Sequence, residues 1–213
     1  MPRKTDPRRR VVDAAMKLAA ERGWRDLTLA EIASAAGTTL SGLYPIFAGK
    51  PAVLAELGRI ADEAMLADGG ADDPEETPRD RLFDVVMRRF DALAPYRPGI
   101  RRVIAELPGD PVPGLLLLPG IGRSMAWALE AAGLRSDGWR GLARVHGLTA
   151  IYARVFRVWL DDESPDLART MAELDARLRR AERFAAGLRG RRSQGPAPES
   201  TADSRGDEAS ASA

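Results

Sequence analysis

Residues 27–50, LTLAEIASAAGTTLSGLYPIFAGK, hold two short helical patterns separated by a turn, each with its own start signal. Thr28 with Glu31 three positions on is a capping box: the hydroxyl takes a free amide of the first turn while the carboxylate reaches back to the cap. Leu29, Ile32, Ala33 and Ala36 follow at helical spacing, and Gly37 ends the helix where a positive φ is needed. A second helix starts after Thr38 and Thr39, with Leu40, Leu43, Tyr44 and Phe47 on one side. Two short helices across such a turn are either an ordinary αα-hairpin or a helix-turn-helix.

The flanking sequence extends the unit. Asp6 followed by Pro7 is a cap plus first helical residue, and Val11, Ala15, Leu18 and Ala19 form an apolar stripe that stops at Gly23. Arg3, Lys4, Arg8, Arg9 and Arg10 precede or open that helix, and such basic arms either track DNA phosphates or are soluble termini. After Lys50 and Pro51 a fourth helix runs through Val53, Leu54, Leu57 and Ile60. Residues 1–58 carry 9 basic and 6 acidic side chains, a local excess of three positive charges.

Residues 8–58 resemble the DNA-binding domain of the TetR family of bacterial transcriptional regulators. Ala14, Ala15, Leu18, Gly23, Thr28, Ile32, Ala33, Ala36, Gly37, Leu43, Tyr44, Phe47, Lys50 and Leu54 carry the resemblance. It implies that Thr28, Tyr44 and Lys50 meet backbone phosphates of double-stranded DNA and that Thr39 caps the recognition helix. Thr38 and Ser41 complete the polar side chains of that segment. Arg8 and Arg9 are the expected phosphate contacts of the arm. Residues 38–47 depart from the family pattern in holding no Lys, Arg, Asn, Gln or His, which removes the bidentate base contacts. Pro45 departs too: its missing amide would have paired with Ser41, at about 3 kcal/mol or a kink. Gly42 loosens the same turn by about 1 kcal/mol relative to Ala.

Composition narrows the alternatives. The chain has 213 residues, a net charge of +1, no cysteine and one histidine, His146. Disulfides, thiolate metal sites and a cysteine nucleophile are excluded, and the expectation is a non-enzymatic protein without metal or cofactor. Carboxylate pairs such as Asp161–Asp162 read as solvated loop charge, because catalysis needs burial or a partner to shift a pKa. No apolar run reaches the length of a membrane span and no signal-type core follows the basic start, so a cytoplasmic location is expected.

Past residue 66 an acidic, Gly- and Pro-bearing stretch at 68–78 reads as a linker. Helical patterns then cover Leu82 to Leu93, 100–107, 121–132 (after an interruption at Pro119 and Gly120) and 139–160. Ser164 and Pro165 read as cap and first residue of a last helix striped by Leu167, Met171, Leu174, Leu178, Ala181, Ala185 and Leu188. No strand pattern stands out, and the fold class is all-α. The expected organisation is a helix-turn-helix domain over 7–66, a helical ligand-binding and dimerisation domain over 79–189, and a disordered tail over 190–213. The TetR resemblance implies a homodimer through the last two helices and a pocket for a small apolar effector. Met125, Trp127, Tyr152, Phe156 and Trp159 are the candidate lining, since Met and aromatic side chains shape apolar cavities.

A second resemblance covers residues 148–178, similar to the C-terminal domain of the lipid-binding proteins of ubiquinone biosynthesis, which share the TetR fold. Ala150, Tyr152, Leu160, Asp162, Ser164, Pro165, Asp166, Thr170, Leu174, Asp175, Arg177 and Leu178 carry it. It implies a lipid-like ligand and a peripheral membrane contact through an amphipathic helix, for which the last stripe could serve. The same stripe could equally be a dimer seam. Two functions therefore stand: a dimeric, effector-controlled DNA-binding regulator, or a lipid-binding accessory protein of quinone metabolism with a vestigial helix-turn-helix.

Overall fold

A computed structural model describes residues 6–67, 75–109 and 112–193. Among them every regular element is a helix, as the sequence pattern led us to expect. Three helices form the first unit: α1 (Pro7–Arg22), α2 (Leu29–Ala35) and α3 (Leu40–Leu43). The Asp6 carboxylate accepts the Arg8 amide at 3.0 Å to start α1. The capping box of α2 is complete, with the Thr28 amide donating to Glu31 at 2.8 Å and the Glu31 amide to the Thr28 hydroxyl at 3.2 Å. These contacts, the backbone amide of Thr28 first and the Arg22 guanidinium second, hold the Glu31 carboxyl down to about 2.

The long helix α4 (Lys50–Leu66) leads out of this unit and buries Val53, Leu54, Leu57, Ile60, Ala61 and Met65. Five further helices follow: α5 (Pro78–Leu93), α6 (Arg97–Glu106), α7 (Val112–Ala131), α8 (Gly138–Leu160) and α9 (Ala168–Ser193). A 3-10 turn over Ala94–Tyr96 joins α5 to α6. Helix α4 packs on α5 and α7, and α1 packs on α6, so a single apolar core runs from Val12 and Ile32 through Val86 and Phe90 to Trp159 and Leu174.

Several sequence expectations change here. Pro119 lies inside α7 and does not divide it; Leu115 and Pro119 both face outward, so the carbonyl that loses its amide partner can turn to water. Ser164 and Pro165 do not open α9, which begins at Ala168. The Ser164 hydroxyl instead accepts the Ala168 amide at 3.0 Å from outside the helix. Leu174 and Leu178 are buried within the protomer, because α9 packs on α5 and α8. The stripe from Leu167 to Leu178 is therefore core, while Ala181 and Ala185 further along α9 are exposed. Residues 68–74 of the expected linker and 194–213 of the expected tail lie outside the described residues, while 190–193 continue α9.

Candidate nucleic-acid interface and effector core

Helix α3 is short because of its own sequence. The Thr39 hydroxyl accepts the Gly42 amide at 3.2 Å and so caps the first turn. Regular helix stops at Leu43, and two residues on Pro45 has no amide to offer Ser41. The Ile46 and Phe47 amides both turn back to the Leu43 carbonyl, at 2.9 and 3.0 Å. Leu43 and Phe47 are buried and hold the segment on the core. Gly42 does more than loosen the turn: a Cβ there would lie 2.6 Å from the Thr38 hydroxyl oxygen, so only glycine lets Thr38 fold over α3. The outward face presents Thr39, Leu40, Ser41, Tyr44 and Pro45, with Tyr44 87% exposed. Thr28 is exposed at the start of α2, its hydroxyl donating to Glu31 at 2.8 Å.

Lys50, expected to meet a phosphate, is engaged within the fold. Its ammonium donates to the carbonyls of Trp24 (2.8 Å), Arg25 (2.9 Å) and Leu27 (2.7 Å) and sits 5.2 Å from the centre of the Trp24 ring. Through these three carbonyls Lys50 clasps the loop between α1 and α2. The same loop is held from its amide side by Glu106 at the end of α6. That carboxylate accepts the Trp24 amide at 3.0 Å and the Arg25 amide at 2.7 Å, while the Arg25 guanidinium donates to the Glu106 carbonyl at 3.2 Å. Of the arm, Arg8 is exposed yet 3.6 Å from Glu56 and 5.8 Å from the centre of the Phe47 ring, so it braces α1 on α4. Arg9 is exposed on α1.

The five expected pocket residues have different surroundings. Tyr152 and Trp159 are buried and Phe156 is half-buried, and all three pack with Phe90 in an aromatic cluster. Ring centres lie 5.2 Å apart for Phe90–Tyr152, 5.6 Å for Phe90–Trp159 and 5.3 Å for Phe156–Trp159. Met125 is fully buried, and Trp127, 56% exposed, faces outward from α7. The side chains interdigitate because α5, α7 and α8 approach closely enough for them to fill the space between. The indole Nε1 of Trp159 is buried with no hydrogen-bond partner, and the Arg97 guanidinium lies 4.7 Å from the ring centre. His146 is exposed on α8, its Nδ1 2.9 Å from the Leu142 carbonyl.

A polar chain that sequence reasoning missed joins this cluster to α4. Arg89 of α5, buried, donates to the Tyr152 hydroxyl at 3.2 Å and to the Gly58 carbonyl at 3.3 Å, and forms an ion pair with Asp62. Asp62 in turn accepts the Ser124 hydroxyl of α7 at 2.8 Å. Burial raises the Tyr152 phenol above its ordinary range, partly offset by Arg89. Four helices, α4, α5, α7 and α8, thus share one buried network. Arg89, one of four arginines on α5, gives no sign of its partner in the sequence, and Asp62 reads as surface charge.

A capped α2, a tight turn, an outward-facing α3 and a supporting α1 form a three-helix helix-turn-helix unit. Residues 11–57 match the family model of the bacterial regulatory proteins, tetR family. Residues 130–185 match a second family model, described as COQ9. Among solved structures, the chain is similar to a TetR transcriptional regulator from Nitrosomonas europaea, with 26% identity and a TM-score of 0.67 over 83% of this chain and 98% of that one. It is also similar to a tetR-family transcriptional regulator from Streptomyces coelicolor, with 21% identity and a TM-score of 0.54 over 89% of this chain and 90% of that one. No curated protein matched the sequence. The fold is therefore TetR-like, an N-terminal helix-turn-helix joined to a helical second domain. The COQ9 match falls on α8, α9 and the turn between them. In that turn Asp162, fully buried, accepts the amides of Ser164 (3.1 Å) and Thr170 (2.8 Å) and the Thr170 hydroxyl (2.7 Å). Among the described residues no helix is long and apolar enough to cross a membrane.

Proposed function

We propose that the protein is a dimeric transcriptional regulator of the TetR type, released from operator DNA by a small apolar effector. The observation that carries this reading is the helix-turn-helix unit whose α3 turns Thr39, Leu40, Ser41 and Tyr44 to solvent within the stretch that matches the tetR family. Ser41, Thr38 and Tyr44 serve as uncharged contacts, with Thr28, Arg8 and Arg9 beside phosphates; this positions the unit without reading sequence. Dimerisation is supported by the exposed side of α8, with Leu142, Ala143, Gly147 and Ala150, beside Ala172 and Ala176 of α9. Small residues there let two helix pairs approach closely.

The effector is assigned to the aromatic cluster, where the unmet Trp159 Nε1 offers one donor among the rings, with Arg89 and Arg97 close by. Entry of a ligand between Met125, Tyr152, Phe156 and Trp159 would disturb Tyr152, and through Arg89 and Asp62 the position of α4. The ligand acts by favouring the state whose recognition helices no longer match one turn of DNA.

A second reading is favoured by the COQ9 match over residues 130–185: a lipid-binding accessory protein of ubiquinone biosynthesis, peripheral to a membrane, with the helix-turn-helix retained as structure. The two are separated by measuring binding of the protein to its own upstream DNA and to an unrelated duplex across a salt series. Preference for the upstream duplex that survives near-physiological salt supports the regulator. Equal binding to both duplexes, lost with salt, rejects it, and lipid that co-purifies with the protein then establishes the alternative.

A further inference from the structure

The outward face of α3 holds no group able to make a bidentate hydrogen bond to a base. Between Glu31 and Lys50 no side chain carries a charge, an amide or an imidazole. Both flanking charges are engaged, Glu31 by Thr28 and Arg22 and Lys50 by three carbonyls. The two exposed hydroxyls also face each other, Thr39 Oγ1 and Ser41 Oγ lying 2.9 Å apart. Apart from the Tyr44 hydroxyl, what remains is apolar: Leu40, 53% exposed at the first position of the helix, the Tyr44 ring, and the exposed pyrrolidine of Pro45.

In the major groove the apolar group that a base edge presents is the C5-methyl of thymine, and the first residues of a recognition helix are those that reach base edges. We infer that the protein selects its DNA site through thymine methyl groups, covered by Leu40 with Pro45 beside it. Leu40 is thus the specificity-determining residue, and the half-site is marked by thymines at the positions beneath it. This rests on the DNA-binding reading above. It accounts for an exposed leucine on a face where a soluble protein gains nothing from one, and it needs no donor that the helix lacks.

The test starts from a pool of random-sequence duplexes selected through rounds of binding to the full chain. A shared motif containing thymines is expected, and the selected duplex is then prepared with deoxyuridine in place of thymidine. Each lost methyl should weaken binding about fourfold, or about fifteenfold for one methyl in each half-site of a dimer. Leu40→Ala, at an exposed site, should bind the thymine and uracil duplexes alike. Equal affinity of the wild-type protein for both duplexes overturns the inference while leaving DNA binding intact. A Leu40→Ala variant that keeps the thymine preference overturns it too, since the preference would then reflect DNA shape. A pool that yields no motif removes the DNA-binding reading itself, and the inference with it; a change of oligomeric state in Leu40→Ala would then mark the patch as a protein-protein surface.

Discussion

Replacing Lys50 by methionine separates a loop clasp from a phosphate contact. The substitution keeps the length and much of the volume of the stem and removes only the ammonium, leaving the carbonyls of Trp24, Arg25 and Leu27 without their donor. A hydrogen bond to a charged group contributes about 1.5–3 kcal/mol. Lys50 is half-buried and the Arg25 carbonyl belongs to an exposed residue, so water can replace part of what is lost and solvent screens the charge. The net loss should be about 2 kcal/mol. For a chain of this length that is a fall in melting temperature of roughly 4–8 °C. The assay is thermal unfolding followed by far-ultraviolet circular dichroism, paired with DNA binding across salt. The clasp predicts a lower melting temperature and an unchanged slope of log affinity against log salt at temperatures where the variant is folded. A variant that melts with the wild type and whose salt slope falls by about 0.9 would refute the clasp, because that is the signature of one lost phosphate contact.

Asp162→Ala should destabilise the protein by about 3 kcal/mol, since it strands the Ser164 and Thr170 amides at the start of α9; denaturant titration reads this directly. Burial would raise the Asp162 carboxyl, but the hydrogen bonds from Ser164 and Thr170 outweigh it and hold it well below the usual carboxylate range. Its folded value lies below its unfolded one, so its contribution is complete above about pH 4 and is lost as pH falls toward the folded value. Acid unfolding of Asp162→Asn should accordingly be less steep than that of the wild type. In Gly99→Ala the new Cβ would lie 2.4 Å from the Met16 carbonyl oxygen; prying α6 from α1 should cost about 1–3 kcal/mol, read as a lower denaturant midpoint. Ala150→Arg, on the exposed side of α8, should convert a dimer to a folded monomer in sedimentation; an unchanged mass would move the dimer interface elsewhere.

Signals confined to one helical turn were legible before the structure. The Asp6 and Thr28 caps and the stripes of α4, α5 and α8 need only residues three or four apart, and the stop at Pro45 follows from one missing amide. What escaped reading depends on the other side of each stripe. The periodicity of Leu174 and Leu178 marks an apolar face without saying whether a neighbour in the same chain or a second copy covers it; the structure places α5 and α8 there. Of the five residues expected to line a pocket, Tyr152, Phe156 and Trp159 pack together with Phe90, a partner 62 or more positions away that no local pattern announces. Glu106 reaches the Trp24 amide across 82 positions, and nothing local to either residue announces the other. Lys50 had a residue-for-residue match to a phosphate contact, and its contacts with the carbonyls of Trp24, Arg25 and Leu27 cross 23 to 26 positions that no local pattern spans. The start of α9 was misplaced for a similar reason, because buried Asp162 ties Ser164 to Thr170 in the first turn of a helix that begins only at Ala168.

Footprinting of the purified protein on the DNA upstream of its own gene, at near-physiological salt, tests the central claim most directly. The account predicts two protected half-sites with centres about one helical turn apart, the spacing that a symmetric pair of recognition helices imposes. Uniform protection, or none at concentrations where the protein is fully dimeric, would contradict it and leave the helix-turn-helix as scaffold for the lipid-binding alternative.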